Sequence, residues 1–271
     1  MNIIRSLYKT AIVALLFVIA TGFSYQELNY AIRNSTIKKG EKLTFRLHYG
    51  LLTAGYPVMQ VFDKTYPVDG KTCFKVEVSG KTYGAVHKLF QIKDIWRSYM
   101  DTANMLPKYA YRNISEGNYK LVENTYLNRG ASKTKVVIEK TEGDKTKEYA
   151  TPEGIHDIVS GFFYYRNIDY SKKSIGEKIP VKSFFDGELY HLNVVYKGKV
   201  ELKTAFGRID CFKLSPEVPE NDIFDGENSV LFYITADNNR MPVKIKADMF
   251  VGSVEMDISE YQNLRHPIKF K

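Results

Sequence analysis

The side chains best suited to catalysis are His156, Asp157 and Ser160, because histidine, aspartate and serine are the components of a hydrolytic triad. On a helix, His156 and Ser160 would lie four residues apart and could touch, whereas Asp157 would point about 100° away from the imidazole. A triad also needs an acid behind the imidazole and an oxyanion hole in front of the serine. The sequence supplies neither, so Asp157 is predicted to start a helix or to have a structural role, and the protein is predicted not to be an enzyme.

Other familiar catalytic and cofactor-binding patterns are absent from the sequence. The chain has no H-E-x-x-H, C-x-x-C, P-loop or post-strand G-x-G-x-x-G pattern, and none of its five histidines lies at metal-ligand spacing from another histidine or a cysteine. Acidic residues such as Glu217 and Asp222 could serve a glycosidase, but they lie in a Pro-containing segment typical of a solvated loop. We therefore expect no catalytic residues, no cofactor and no metal site.

Aromatic residues are the more informative group. Twenty tyrosines, sixteen phenylalanines and one tryptophan make up 14% of the chain. Most of them would fill a large β core, with tyrosine hydroxyls at its edges. The others could line an apolar concavity for an acyl chain or an exposed peptide, or form a platform for sugars. The candidate ligand-binding residues are Phe162, Phe163, Trp96 and Tyr49.

The elements that would position these side chains are mostly short strands. Apolar residues from Leu43 to Tyr49 alternate with polar ones, and this period of two is typical of a half-buried strand. Turn residues such as Asp69-Gly70 and Lys197-Gly198 separate further segments that are rich in β-branched and aromatic residues. The fold class is therefore predicted to be all-β, a large curved antiparallel sheet resembling a half-barrel or open barrel. The other predicted strands are 73–78, 94–101, 106–114, 119–128, 133–141, 178–186, 190–196, 199–205, 208–215, 229–236, 243–249 and 252–261.

One segment has a helical period instead. Apolar residues recur three and four positions apart from Ile155 to Phe163, and Thr151-Pro152 offers an N-cap followed by proline. We predict a short amphipathic helix near 152–166 that packs its apolar face on the sheet. The residues given structural roles are Asp157, Arg166, Gly207, Asp237 and Pro242. Arg166 could pair with Asp157 or Asp237, and Gly207 fits a turn or bulge.

The amino-terminal segment indicates export. Arg5 and Lys9 precede the apolar run Ala11–Ala20, and Gly22 and Ser24 suit a cleavage site, so residues 1–24 are predicted to be a signal peptide. Residues 25–271 are predicted to form a single domain. No cysteine directly follows the cleavage point, where Tyr25 stands instead, so the exported protein is not expected to be a lipoprotein. The formal net charge is +8 with interspersed acidic residues, which is typical of solvated strand faces and does not indicate a nucleic-acid partner.

Cys73 and Cys211 are the only cysteines of the chain. In an oxidising compartment they could form one long-range disulfide. They could equally remain two buried thiols that pack as small apolar groups. The sequence does not place their Cα atoms within bonding range, so both interpretations stay open.

Longer motifs occur in a characteristic order along the chain. They are Gly40–Leu43, Leu52–Gly55, which is predicted to be a turn, Asp157–Ser160, Tyr164–Arg166, Phe206–Phe212, Ile234–Asp237, Arg240–Val243 and Phe250–Ser253. Together they resemble the bacterial exported family of unknown function numbered 3108, over nearly all of the mature chain. The resemblance implies an envelope protein similar to the half-barrel carriers of the lipoprotein-localisation (Lol) system, which hold acyl chains in an apolar concavity covered by helix. No catalytic residues are established for the family.

These observations lead to an expected function. We expect a periplasmic or outer-membrane-associated protein that binds or carries an apolar ligand, either a lipid or a lipoprotein acyl chain, without catalysis. The alternative is a structural or glycan-interaction module of the cell envelope, with an envelope protein or a glycan as its partner. No transmembrane segment is expected after removal of the signal peptide, because no later run of the sequence approaches the ~20 apolar residues that a spanning helix needs.

Overall fold

A computed structural model describes residues 31–89, 91–128, 133–139, 143–217, 229–249 and 252–271 of the protein. The predicted signal peptide, 1–24, lies outside the described residues. Within them, fifteen strands form one antiparallel sheet. The strands are β1 (Lys42–Tyr49), β2 (Leu52–Gly55), β3 (Val58–Val68), β4 (Lys71–Lys81), β5 (Lys93–Asp101), β6 (Pro107–Glu116), β7 (Tyr119–Tyr126), β8 (Lys133–Glu139), β9 (Lys145–Ala150), β10 (Lys178–Phe185), β11 (Glu188–Thr204), β12 (Gly207–Pro216), β13 (Val230–Thr235), β14 (Pro242–Asp248) and β15 (Ser253–Gln262).

The sheet consists of two meanders joined edge to edge. Its order is β10-β11-β12-β13-β14-β15-β1-β3-β4-β5-β6-β7-β8-β9, and β2 pairs with β1 outside this path. Nearly every neighbour in the order is also the next strand in the sequence, as hairpins require. The exceptions are the β1–β3 pairing, since β2 lies off the path, and the β1–β15 pairing, which joins the amino-terminal meander to the carboxy-terminal one. The sheet is not closed, since β9 and β10 form its two ends, and the predicted all-β fold class is confirmed.

Helices are short and few in the described part of the chain. Helix α1 spans Gly84–Leu89, helix α2 spans Ile158–Arg166, and a single 3-10 turn covers Tyr170–Lys172. Helix α2 packs against the end strand β10 and against the central strands β4 and β5. Because one short helix touches both the end and the middle of the sheet, the sheet must curl around it. The concave side is therefore the side that α2 occupies.

The predicted start of this helix at Thr151-Pro152 is wrong. Asp157 is its N-cap, with an extended backbone. Just before the cap, the backbone of His156 pairs with β10, donating to the carbonyl of Lys182 and accepting from the amide of Phe184. Pairing with a strand requires extended backbone, so this tertiary contact prevents the apolar period from beginning the helix at Ile155.

The core lies between α2 and the concave face. Helix residues such as Val159 and Phe163 pack in one continuous cluster with Phe45 of the first meander and Ile234 of the second. A smaller cluster consists of Leu127, Val136, Ile155 and Phe184. The apolar side chains of the two meanders are thus buried together, as expected when one sheet is hydrophobic on a single face.

Two predicted turns are not turns. Lys197-Gly198 lies inside the seventeen-residue strand β11, where the register shifts between Tyr196 and Lys199. Gly198 has a φ of 97°, so it accommodates a bulge within a strand that continues past it. Leu52–Gly55 is the strand β2, and the tight turn lies just before it at Gly50 and Leu51.

The disulfide alternative for the cysteines is wrong for this structure. Cys73 on β4 and Cys211 on β12 are both free and buried. In the sheet order, β13, β14, β15, β1 and β3 lie between their strands. Burial raises the pKa of Cys73 to about 11 and that of Cys211 to about 12. Both side chains are therefore neutral thiols that pack as small apolar groups.

Candidate functional site

The amino-terminal end of α2 is fastened to the sheet by Asp157. One carboxylate oxygen accepts from the backbone N–H groups of Val159 and Ser160, at 2.8 and 3.1 Å. The other accepts from the hydroxyl of Ser98 on β5, at 2.6 Å. Burial raises the pKa of Asp157, although the hydrogen bonds from Ser98, Ser160 and Val159 act in the opposite direction. Asp157 therefore starts the helix, which is one of the two roles predicted for this residue.

The hydroxyl of Ser160 is not arranged as an activated nucleophile. It donates to the backbone carbonyl of Asp157 at 3.1 Å, and His156 Nδ1 lies 3.1 Å from the same oxygen. With its proton committed to the carbonyl, Ser160 Oγ can only accept from the imidazole. A general base would have to withdraw that proton instead. The sequence correctly predicted that these two side chains could touch. Their hydrogen bonds connect the first turn of α2 to the residues before it.

An aromatic pair lies where β5 faces β10 across the concave side. The rings of Trp96 and Phe185 are stacked with centroids 5.6 Å apart and an interplanar angle of 17°. The guanidinium of Arg112 lies 4.5 Å from the centroid of the Phe185 ring. The Trp96 side chain is buried, although it is among the predicted ligand-binding residues.

Two buried donors lie beside this pair. Trp96 Nε1 and Ser183 Oγ are among the buried polar atoms of the described residues that have no hydrogen-bond partner. Ser183 is two positions before Phe185 on β10, so both side chains lie on one face of that strand. The hydroxyl of Ser183 also faces α2, lying 3.4 Å from the position that a Cβ would take at Gly161. An unpaired buried donor costs ~1–3 kcal/mol, which makes these two atoms the best candidates to bind a ligand oxygen.

The other predicted ligand-binding residues are spread over different environments. Phe163 is fully buried in the core. Phe162 is half-buried, with its ring 5.9 Å from that of Phe232. Tyr49 ends β1 and is 39% exposed. The four residues chosen from the sequence therefore do not share one surface. Ser183 and Phe185 were missed, since nothing in the sequence places β10 opposite β5.

The carboxy-terminal end of α2 is fastened by Arg166, but the predicted partners were wrong. The Arg166 guanidinium binds both carboxylate oxygens of Glu41, at 2.7 and 3.2 Å. It also donates to the backbone carbonyls of Asn239 and Arg240, at 3.2 and 3.1 Å. Asp157 does not pair with Arg166, because it lies at the opposite end of the helix. Glu41 precedes β1 and is distant in sequence, so no local pattern indicated it.

Asp237 and Pro242 belong to the turn beside this ion pair, and Gly207 lies at another turn. Asp237 accepts from Thr235 Oγ1 and from the backbone N–H of Asn239, at 2.6 and 2.9 Å, and so shapes the turn whose carbonyls bind Arg166. Pro242 begins β14 after this turn. Gly207 has a φ of 125°, and a Cβ there would lie 2.9 Å from the carbonyl oxygen of Lys271. A glycine is required at this close approach.

One cluster of side chains has metal-ligand chemistry. His48 of β1 lies across from Glu255 and Asp257 of β15, and their ligand atoms are all within 4.8 Å of one another. However, the ammonium of Lys244 contacts both carboxylates and lies 3.2 Å from Asp257 Oδ1. His48 Nε2 lies 2.8 Å from Asp257 Oδ2. The cationic position is thus filled by protein groups, and the cluster forms an ion network between two strands.

A row of tyrosines crosses the outer face of the first meander. The ring centroids of Tyr66 and Tyr99 are 5.7 Å apart, those of Tyr99 and Tyr109 5.1 Å, and those of Tyr109 and Tyr126 5.2 Å. Ser98, the neighbour of Tyr99, points to α2, so the alternation of side chains puts Tyr99 on the convex side. All four are half-buried. We call these four residues the tyrosine row.

The fold and these sites define an open, barrel-like antiparallel sheet protein with one helix in its concavity. The chain belongs to the family described as protein of unknown function DUF3108, whose model matches residues 44–259. The family suggested by the sequence motifs is thereby confirmed. A comparison with curated proteins gives no match.

Among solved structures, the chain is similar to a β-barrel-like protein of the domain of unknown function DUF1849 from Brucella abortus. The TM-score is 0.55 at 9% identity, covering 86% of this chain and 99% of that chain. A weaker match is a proposed lipoprotein from Parabacteroides distasonis, with a TM-score of 0.34 at 11% identity, covering 86% of this chain and 99% of that chain. Another is a proposed exported protein with a YmcC-like fold from Bacteroides fragilis, with a TM-score of 0.32 at 10% identity, covering 86% of this chain and 100% of that chain. The first of these supports the fold. No helix within the described residues is long and apolar enough to span a bilayer.

Proposed function

We propose that the protein is a non-catalytic carrier of an apolar ligand, a lipid or a lipoprotein acyl chain, which it binds on the concave side of the sheet beside the stacked rings of Trp96 and Phe185. The observation that carries the proposal is the pair of buried donors without intramolecular acceptors, Trp96 Nε1 and Ser183 Oγ, beside an aromatic stack. The carboxylate or ester oxygen of an acyl ligand accepts such hydrogen bonds, and its chain suits the adjoining apolar side chains.

The position of α2 supports this proposal. Helix α2 is the cover of the concave face, and it is held at its two ends by Asp157 and Arg166. Between these ends, Gly161 brings the helix close to Ser183 without a side chain in between. A cover fixed at both ends keeps the donors away from water, which strengthens a hydrogen bond to a ligand.

The non-catalytic part of the proposal rests on the proton arrangement at Ser160. Its hydroxyl donates to a backbone carbonyl, and the Asp157 carboxylate is engaged by the helix terminus. Export to the cell envelope is supported by the signal-peptide pattern of residues 1–24. In an ester-hydrolysis assay, we expect the rate to equal that of a Ser160→Ala variant.

The single tryptophan gives a direct binding test. A dansyl-labelled medium-chain fatty acid bound in the concavity would receive excitation energy from Trp96, and unlabelled dodecanoate should compete. Ser183→Ala should weaken binding by about fivefold, the value of roughly one net hydrogen bond. Ser229→Ala is the matched control, because Ser229 Oγ is also buried without a partner but lies at the start of β13. Absence of saturable energy transfer, or equal affinities for the two variants, would refute carriage at this site.

The tyrosine row supports a second candidate, glycan interaction on the outer face. Half-exposed rings that cross neighbouring strands can offer a surface for sugar stacking, and Lys75 lies beside them with its ammonium 5.5 Å from the Tyr66 ring. If the protein binds envelope glycan, Tyr99→Ala should reduce retention on purified peptidoglycan, while Ser183→Ala should leave it unchanged. In the fatty-acid assay, Ser183→Ala should weaken binding and Tyr99→Ala should leave it unchanged. This reversal would distinguish the two functions.

A further inference from the structure

Large apolar side chains are exposed at one end of the sheet. Leu51, at the tip of the β1–β2 hairpin, is 100% exposed, and Leu89 of α1 is 72% exposed. Leu52, Tyr56 and Tyr83 are also exposed. We call these five residues the rim surface. Exposed apolar groups that are contiguous, unlike single ones, mark contact sites on proteins.

The rim surface is one structural unit. The backbone N–H of Tyr83 donates to the carbonyl of Ala54 on β2 at 2.9 Å, and Gly55 forms a bridge with Thr82. The rings of Tyr56 and Tyr83 make an edge contact with centroids 6.3 Å apart. Helix α1 follows directly, packs against β2 and has no buried residue. The hairpin and the helix therefore present their apolar side chains together.

The two segments that build this surface carry charge of a single sign. The two segments that build it, Leu47–Phe62 and Val78–Lys93, contain no aspartate or glutamate, whereas Lys81, Lys88 and Lys93 lie in the second. The ammonium of Lys81 lies 4.9 Å from the centroid of the Tyr83 ring. The surface is therefore apolar at its tip and basic at its margin.

The nearest acidic residues on the adjoining strand have partners of their own. Glu255 and Asp257 of β15 contact Lys244, and Asp257 also contacts His48. The single ammonium of Lys244 offsets one of these two negative charges. The one negative charge left over is smaller than the three positive charges of Lys81, Lys88 and Lys93 at the rim surface.

We propose that the rim surface docks the protein on an anionic lipid bilayer. The leucines would enter the acyl boundary, the tyrosines would lie at headgroup level, and the lysines would attract anionic headgroups. A fully exposed hairpin tip is convex, and a deformable bilayer accepts a convex apolar tip without a preformed groove. The basic margin favours a partner of opposite charge. Docking does not depend on carriage of a ligand, so either proposal can fail alone.

The experiment is sedimentation of the protein with vesicles of phosphatidylethanolamine and a minority of phosphatidylglycerol, beside vesicles of phosphatidylcholine alone. We expect binding to the anionic vesicles that weakens with added salt. The double variant Leu51→Ser, Leu52→Ser should partition at least about tenfold less, since each leucine loses the gain from burial. Its substituted side chains lie outside the core, so the fold should persist, as circular dichroism can verify.

Ile175 supplies the matched control. It is 75% exposed and lies before the first residue of β10, whereas Phe185 is the last residue of that strand. Ile175 is therefore an exposed apolar residue outside the rim surface. Ile175→Ser should leave vesicle binding unchanged, and Lys81→Gln with Lys88→Gln should weaken it several-fold at low salt. Equal losses for Ile175→Ser and the leucine variant, or no binding to either vesicle, would overturn the proposal. So would a dimer in sedimentation velocity that the leucine variant abolishes, because the surface would then bind a second copy.

Discussion

Two buried arginines, Arg166 and Arg112, bind carboxylates from other segments of the chain, and their surroundings differ. Arg166 and Glu41 form a bidentate pair with side chains 0% and 1% exposed, which ties α2 to β1 and to the β13–β14 turn. Arg112 binds Glu123 on the neighbouring strand, where both side chains are 9% exposed, and reaches Asp186 of the β10–β11 turn, which is 67% exposed. The first pair is sealed in the core, and the second extends from the interior to solvent.

The difference in burial decides how much stability is lost when a carboxylate partner of each arginine is removed. At Arg166, water cannot replace a lost partner, so the cost of breaking the pair is that of an uncompensated buried charge. At Arg112, two carboxylates share one guanidinium. Burial lowers the pKa of Arg112, but its hydrogen bonds and charge interactions with Glu123 and Asp186 outweigh this and raise the pKa above its ordinary value. The remaining carboxylate can therefore compensate for the loss of either one.

The largest effect is expected from Glu41→Ala. It would leave the Arg166 guanidinium buried beside two carbonyls only, lowering the free energy of unfolding by ~3–5 kcal/mol. Urea denaturation measures the change. The double variant Glu41→Leu, Arg166→Met should regain most of the loss, because an apolar pair needs no desolvation of charge. If the double variant is no more stable than Glu41→Ala, the cost arises from packing and the buried-charge explanation fails.

Glu123→Ala should cost less than Glu41→Ala, ~1.5–3 kcal/mol, which is the value of hydrogen bonds to a charged group. The variant keeps the 2.8 Å contact between Arg112 and Asp186. The same urea titration applies. A loss equal to that of Glu41→Ala would mean that Asp186 does not compensate, and the contrast between the two arginines would disappear.

Asp157 anchors the opposite end of α2 from Arg166, and its effect should depend on pH. Burial raises the pKa of this carboxyl above its ordinary value of 3.8, so the folded state binds the proton more tightly than the unfolded chain. The contribution of this group to stability therefore falls as pH rises above that value. Asp157→Asn keeps a side chain that can cap the helix. The stability of the variant relative to wild type should increase from acidic to neutral pH, and a flat difference would contradict the assignment.

Asp186→Asn should have the smallest effect, within ~1 kcal/mol, because Asp186 is mostly exposed and its contact is screened by water and salt. The stability difference from wild type should shrink as sodium chloride is added. A larger loss that persists in high salt would show that this turn behaves as part of the interior.

Much of the fold could be predicted from the sequence, because alternation is a local property. The period of two from Leu43 to Tyr49 identified β1, and the apolar spacing from Ile155 to Phe163 identified α2 but not its first residue. Local patterns failed where a distant strand intervened. His156 is extended because it pairs with β10, and Lys197-Gly198 is a bulge because β12 pairs with both sides of it.

The candidate site was less predictable than the fold. Trp96 was predicted from its residue type, and Asp157 was predicted to start a helix or to have a structural role. The donor Ser183, the ring of Phe185 and the partner Glu41 were all missed, since each lies opposite its contact only after the sheet has curled around α2.

The sequence by itself determined most of the strands, although not β2, β3 or β9, together with the helical segment, the export signal pattern and the family, because periodicity and motif order are local properties of the chain. Only the tertiary structure decided which end strand meets β5, which carboxylate neutralises Arg166 and which apolar side chains remain at the rim. These contacts join residues far apart in sequence, and their energies depend on burial, which exists only once the two meanders share one curved sheet.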